Sequence, residues 1–283
     1  MKPMQSLAFT ALFTAALAAS SAASAQAPQA PQAGAAPSQA SAGQASGPRW
    51  GVAAISLPRY PGADRQQLLA APLIEGRFGE HFFASTLQGV GADWRPAEGL
   101  NLSAALVLDP HWRRRKDMPA AWAALDEVKF AAALRLAAEW QLERFTVQIS
   151  SSSRLVTLVQ GRQGAKDLKG GHSLQFDASY GLLATRSLAL AVGVSAEAMD
   201  KRLAQALFGV NAVQAAAAQL PQHQVKAGLS SLGVFAQAMV PVDSDWTFSA
   251  RLGLNSLRGD AGNSPLVQKK RQPVVALSIS RAF

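Results

Sequence analysis

The sequence predicts an all-β chain closed into a single antiparallel transmembrane β-barrel of about 12 strands, and three observations lead there. The first is the C-terminal segment, where Val275, Leu277 and Ile279 share one face, Ala276, Ser278, Ser280 and Ala282 share the other, and Phe283 ends the chain. One greasy face and one small polar face suit a strand set between lipid and a wet lumen. Arg281 falls on the greasy side near the membrane boundary, where a long cation can snorkel. The second observation is that the same period-two alternation recurs through the chain. The third is an N-terminus with the form of an export signal.

That signal is read from Lys2, the apolar run Leu7 to Ala19 and the small-x-small site Ala23-Ser24-Ala25. Cleavage is expected between Ala25 and Gln26, making residues 1–25 a signal peptide. An uncleaved anchor is the alternative, but the run is short of the ~20 residues of a helical span. Residues 26–48, QAPQAPQAGAAPSQASAGQASGP, carry no charge and no large apolar side chain. Such a stretch buries too little surface to offset its ordering entropy, so a disordered leader is expected. The barrel is then assigned to residues 49–283.

The chain has no cysteine, which excludes a lipid anchor on a thiol, a disulfide and a thiolate metal site. Its formal charge of +9 favours anionic partners. For an exported protein these are lipid phosphates and envelope polymers, and nucleic acid is excluded by compartment. No hydrophobic run after residue 48 is long and clean enough for a membrane helix, so a crossing must use a closed barrel.

Alternation marks the strands. Trp246, Phe248, Ala250, Leu252 and Leu254 oppose Thr247, Ser249, Arg251, Gly253 and Asn255. Phe145, Val147 and Ile149 oppose Thr146, Gln148 and Ser150; Leu174, Phe176, Ala178 and Tyr180 oppose Ser173, Gln175, Asp177 and Ser179. Leu188, Leu190, Val192 and Val194 oppose Ala189, Ala191, Gly193 and Ser195. The stretch Ala121–Arg144 has helix-forming composition, yet Phe130, Ala132, Leu134, Leu136, Ala138 and Trp140 also share one strand face. A strand is the reading taken. A soluble periplasmic lipid-binding barrel or sandwich would show the same alternation.

Connections alternate too. Short turns are expected at 78–81, 96–99, 141–144, 184–187 and 242–245, and long polar or basic loops at 58–67, 109–126, 160–171, 200–222 and 258–272. Short periplasmic turns and long outer loops are the barrel pattern. A count of twelve requires two short strands within 81–95, linked near Gln88-Gly89; ten strands is the alternative.

The chain's own landmarks resemble a known family. FGVNAVQAAAAQLPQHQVKAGLSSLGV (208–234), LRGDAGNSPLVQKKRQPVVALSISRAF (257–283) and YPGADRQQLLAAPLIEGRFGEHFFAS (60–85) resemble the MipA/OmpV family, with Gln219-Leu220-Pro221 standing where that family carries SGLP. The resemblance implies an outer-membrane barrel acting as a non-enzymatic envelope scaffold, linking a murein lytic transglycosylase to a murein synthase, or as a surface antigen or adhesin. A narrow pore or uptake channel for small solutes is the second reading, and a lipid-modifying barrel enzyme the third.

No catalytic, cofactor or metal residue is assigned. His81, His111, His172 and His223 form no metal-binding spacing, and His172 and Ser173, adjacent on a strand, point to opposite faces. The run His111–Lys116 is the sharpest charge feature; Arg113, Arg114, Arg115 and Lys116 are candidates for phosphate contact with lipopolysaccharide, or a solvated loop. Lys269-Lys270-Arg271 is a second such site. Val275, Leu277, Ile279 and Phe283 form the strand expected to engage the barrel-assembly machinery. Inward Arg135, Arg154, Arg251, Glu139 and Asp177 are expected to pair and fill a narrow lumen. With no open edge the barrel is expected to be a monomer in the bacterial outer membrane.

Overall fold

The computed structural model describes residues 48–155, 157–161, 164–168 and 170–283. The expected cleavage at Ala25–Gln26 and nearly all of the 26–48 leader lie outside them. Among the described residues fifteen strands form: β1 (Arg49–Pro58), β2 (Gln66–Phe78), β3 (Phe82–Ser85), β4 (Gly89–Ala97), β5 (Leu100–Asp109), β6 (Glu127–Val128), β7 (Ala131–Leu142), β8 (Phe145–Arg154), β9 (Thr157–Gly161), β10 (Gly164–Leu168), β11 (His172–Ala184), β12 (Ala189–Met199), β13 (Gly228–Pro241), β14 (Trp246–Leu257) and β15 (Arg271–Ala282). Twelve of them close a barrel in the order β1-β15-β14-β13-β12-β11-β8-β7-β5-β4-β3-β2. The other three, β10-β9-β6, make a small sheet within the loops.

The seam is antiparallel, β1 on β15, from Arg49 opposite Ala282 to Ser56 opposite Val275. No edge is left there for another chain to pair with. Side chains alternate as the pleat demands. In β7, Leu134, Leu136, Trp140 and Leu142 are exposed outward, whereas Ala131, Ala133 and Glu139 are buried inward. The ambiguous 121–144 stretch therefore resolves into loop followed by strand, because an inward-outward pleat buries its alanines and a helix there would have no core to face.

All five expected short turns are present, at 79–81, 98–99, 143–144, 185–188 and 242–245. Both short strands of the 81–95 segment exist, joined at Thr86–Gln88, but β3 has only 4 residues. The barrel is thus built from ten longer strands and one short hairpin that completes closure at the turn end.

Aromatic rings gather at the turn end. Trp50 packs edge-on against Trp246 at 5.8 Å and lies 6.5 Å from Phe283; Phe145 and Tyr180 stand 4.9 Å apart. Exposed Trp94 and Trp140 continue this girdle. Arg281 reaches Asp245 of the nearest turn at 3.1 Å, so the cation on the greasy face is partnered at the membrane boundary. Trp112 and Trp122 depart from the girdle pattern and belong to the outer loops.

Candidate functional site

The loops opposite the turns do not behave as solvated linkers. They were expected to be polar or basic, and instead they hold the apolar core of the molecule. One cluster joins Val128, Met199, Leu203, Ala204, Leu207, Phe208, Val225, Leu257 and Ala261. A second joins Tyr60, Ala63, Met118, Leu125, Val210, Ala218 and Leu266. Four loops contribute, so the outer mouth is covered by a packed cap. Lipid and lumen water leave the barrel wall little interior of its own; the cap is where water is excluded.

Two loop helices organise the cap, α1 (Lys201–Phe208) and α2 (Ala212–Ala218). Asp200 caps α1, its carboxylate accepting from Leu203 N at 2.8 Å, and Asn211 with Gln214 forms a capping box on α2. The buried end of α1 needs acceptor partners. Arg113 donates to Leu207 O, and Ser264 Oγ donates to Phe208 O at 2.5 Å. The short helix α3 (Gly259–Gly262) starts at a residue with φ of +54°, a left-handed conformation that glycine adopts readily. Tyr60 closes the cap from the first loop, donating to Gln268 Oε1 at 2.8 Å. Burial pushes its phenol up to about 12, against the pull of nearby Arg113.

The three segments that carry the family resemblance meet in this cap. Tyr60, Phe208, Val210, Ala261, Ser264 and Leu266 are all buried. Gly62 stands at φ +98° and its carbonyl accepts from Gln268 N and Lys269 N at 2.8 and 3.0 Å.

The basic run is drawn into the same structure. Arg113 is fully buried and bonds Asp126 O at 3.1 Å as well as Leu207 O. Burial lowers its pKa to about 10, opposed by Asp126 and Tyr60. It cannot also serve as a phosphate contact. Arg114 binds Asp117 at 2.6 Å and Gln67 at 2.7 Å. Arg115 donates to Ala123 O at 2.9 Å; Arg115 and Lys116 remain exposed. Alternation offers no clue to this, since it describes strands and not how a loop folds.

Beneath the cap lies a knot of charge. His111 bridges Asp109 at 2.7 Å and Glu197 at 2.8 Å, and Arg154 faces Asp109 at 3.3 Å. Burial pulls the imidazole pKa down, but Glu197 and Asp109 outweigh it and hold it up at about 10. Deeper in the lumen, Arg251 pairs with Asp177 at 3.4 Å and lies 3.8 Å over the Phe235 ring. Gly193 makes room for that ring: a Cβ there would sit 2.3 Å from Phe235 Cζ. The inward charges expected from alternation, Arg154, Arg251 and Asp177, do pair; Glu139 is buried on the same lining. Phe235 and His111 were not foreseen, because nothing local marks which side chain reaches across a lumen.

One nucleophile–base distance occurs outside the lumen. Ser153 Oγ lies 2.9 Å from His172 Nδ1 across the β8–β11 ladder. Among the described residues no carboxylate is hydrogen-bonded to His172, so the third group that orients a catalytic base is missing.

A family model described as MltA-interacting protein MipA matches residues 50–283. No curated protein matches the chain. Among solved structures, the COG4313 outer membrane channel from Pseudomonas putida F1 superposes with a TM-score of 0.50 at 11% identity, covering 84% of this chain and 96% of that one. The NanC porin gives a TM-score of 0.48 at 7% identity, covering 83% of this chain and 100% of its own. Identities this low bear on fold alone. With its closed antiparallel wall, its short turns and its match across the whole barrel, the chain is a bacterial outer-membrane β-barrel of the MltA-interacting protein (MipA) family.

Proposed function

We propose that this barrel is a non-enzymatic scaffold of the cell envelope, which holds a murein-cleaving enzyme at the inner face of the outer membrane. The observation that carries the reading is the cap: four loops pack into two apolar clusters over the mouth. Below it the Asp177–Arg251–Phe235 cluster, on the wall from β11 to β14, projects into the lumen and narrows it. A barrel with a covered mouth and a narrowed lumen is poorly built to conduct, and its use lies in its surfaces. The family's name points to a lytic transglycosylase as the partner, and a murein synthase would be the second. In this reading the short turns meet them, and the 26–48 leader, on its composition alone, serves as a tether. A folded cap is also a stable surface for the antigen or adhesin role.

The narrow pore is the second reading, and the polar lining favours it: Gln148, Ser150, Ser179 and Ser195 face inward among the paired charges. Two measurements separate the readings. Detergent-solubilised barrel should retain a purified membrane-bound lytic transglycosylase in a pull-down, and should be silent in a planar bilayer. Steady single-channel conductance with no retained enzyme would sink the scaffold.

A further inference from the structure

The barrel wall is not of even height. β3 pairs with β2 only over Glu75–Phe78, and the last bond on that side runs from Thr86 N to Ile74 O at 3.0 Å. β2 continues to Gln66, paired with β1 alone. On the other flank β4 reaches β5 no further than Val90 opposite Leu106, while Val107, Leu108 and Asp109 pair only with β7. Among the described residues no strand fills the space between β2 and β5 beyond the β3–β4 hairpin. Two absent strands leave three interstrand spacings, roughly 14 Å of width. The edge Gln66–Leu73, unpaired on this side among the described residues, is roughly 26 Å long at ~3.3 Å per residue. Arg114 Nη2 bonds Gln67 Oε1 at 2.7 Å, tying the cap loop to the outer end of β2. The gap is therefore a window with a sill and a lintel.

The window lies at membrane depth. Gln66–Glu75 runs beside β1 residue for residue, and its outward side chains Leu68, Ala70, Pro72 and Ile74 are apolar and exposed. Leu106 and Leu108 on the far jamb are exposed as well. An unpaired backbone edge is not tolerated against hydrocarbon unless it lines a cavity. Pro72, which has no N–H to strand, is a residue of edges.

The lumen behind the window is also different. Register places Ala53, Ile55 and Leu57 of β1, Leu69, Ala71 and Leu73 of β2, and Val274 and Ala276 of β15 on the inner face. Ile55 faces inward yet is 36% exposed, so space adjoins it. The polar and charged lining, with Gln148, Ser150, Asp177 and Arg251, belongs to β8, β11 and β14. Beside the opening the outer half of the inner wall is apolar, whereas toward the turn end the same face carries Ser278, Ser280, Arg49 and Glu75.

We propose that this window admits the acyl chain of a bilayer lipid into the lumen, where the apolar β15–β1–β2 wall receives it while the headgroup stays in the leaflet. The occupant follows from place: the opening faces hydrocarbon, the cap covers the mouth, and the receiving wall is hydrocarbon-like. The inference is independent of the scaffold reading, since it concerns the wall and not the turns.

The cysteine-free chain makes the test direct. Single variants Leu68→Cys (outward), Ala71→Cys (behind the window) and Gln148→Cys (inward on the polar wall) are labelled with bimane and reconstituted into phosphatidylcholine vesicles carrying a nitroxide on the acyl chain. Heat-modifiable gel mobility establishes that each is folded. Quenching at Ala71→Cys should approach that at Leu68→Cys and exceed that at Gln148→Cys several-fold. Quenching at Ala71→Cys as weak as at Gln148→Cys means a sealed wall and overturns the proposal. In a second arm, Ala53→Trp fills the receiving wall and should reduce quenching at Ala71→Cys several-fold; no reduction overturns the assignment of that wall. Nitroxide-stearic acid is the third arm. If it quenches and the phospholipid does not, the occupant is a free fatty acid and the bilayer-lipid proposal is wrong.

Discussion

His111 sits between two carboxylates in a place that excludes water, and its charge follows from that position. The imidazole is held at about 10 against an ordinary 6.5. A raised folded-state pKa gives stability that is complete below pH 6.5 and is lost as pH climbs through 10. Protease resistance of the cap should therefore be flat on the acid side of neutrality and decline from pH 6.5 to 10. His111→Gln should start lower and lose that decline; a decline unchanged in the variant would assign it to other groups. Arg113, lowered to about 10 by burial, overlaps the top of that range, while Tyr60 at about 12 lies above it, which is why the variant and not the curve alone decides. Arg115 and Lys116 are the part of the basic run left free for anions. Replacing both with alanine should weaken binding to lipopolysaccharide without loosening the cap, whereas Arg113→Ala should loosen the cap because it strips the Leu207 carbonyl of its buried partner. Equal effects from the two replacements would show that the run acts only through folding.

Among the elements, α1 is the one on which the cap depends. Leu203, Leu207 and Phe208 are buried at helical spacing, and Phe208 has no exposed surface. Phe208→Ala should cost the cap about 3–5 kcal/mol, as large-to-small changes in packed cores do. Limited proteolysis of the outer loops would read that loss, while heat-modifiable mobility of the barrel stays as it was; loss of both would mean that wall and cap fold as one unit. The strands were legible because lipid and lumen impose period two on every one of them, and the turns because they interrupt that period at short intervals. The stretch 200–222 was expected to be a loop, although it carries helix signals: Asp200 stands where an N-cap belongs ahead of Leu203 and Leu207, and Asn211 stands three residues ahead of Gln214. What no local pattern carries is which loops meet, so the Arg113–Leu207 contact, 94 residues apart, reads in sequence only as a basic run. The window is hidden for a related reason. The expected loop at 58–67, the turn at 78–81 and the link near Gln88-Gly89 bracket Gln66–Phe78 and Phe82–Ser85, but the number of rungs they share does not show.

At the scale of the whole molecule, water-excluding structure is concentrated at one end. The turn end is an aromatic ring with short connections, and the other end is a globular cap with buried charges, helices and two apolar clusters. We treat the cap and the Phe235–Arg251–Asp177 cluster, a bar projecting from the β11–β14 wall, as two resistances in series, and this predicts how conductance should respond to their removal. The intact barrel should be silent. Replacing 200–222 by a short turn removes α1 and α2 but leaves the bar, so conductance should rise only slightly. Phe235→Ala alone should leave the barrel silent, because the cap still covers the mouth. Only the combination should give steady openings, and their size should exceed the sum of the two single changes, as blocks in series require. Openings from Phe235→Ala alone would show that the cap leaks. Large openings after cap removal alone would show that the bar swings aside, and the lumen would then be a pore closed by its loops.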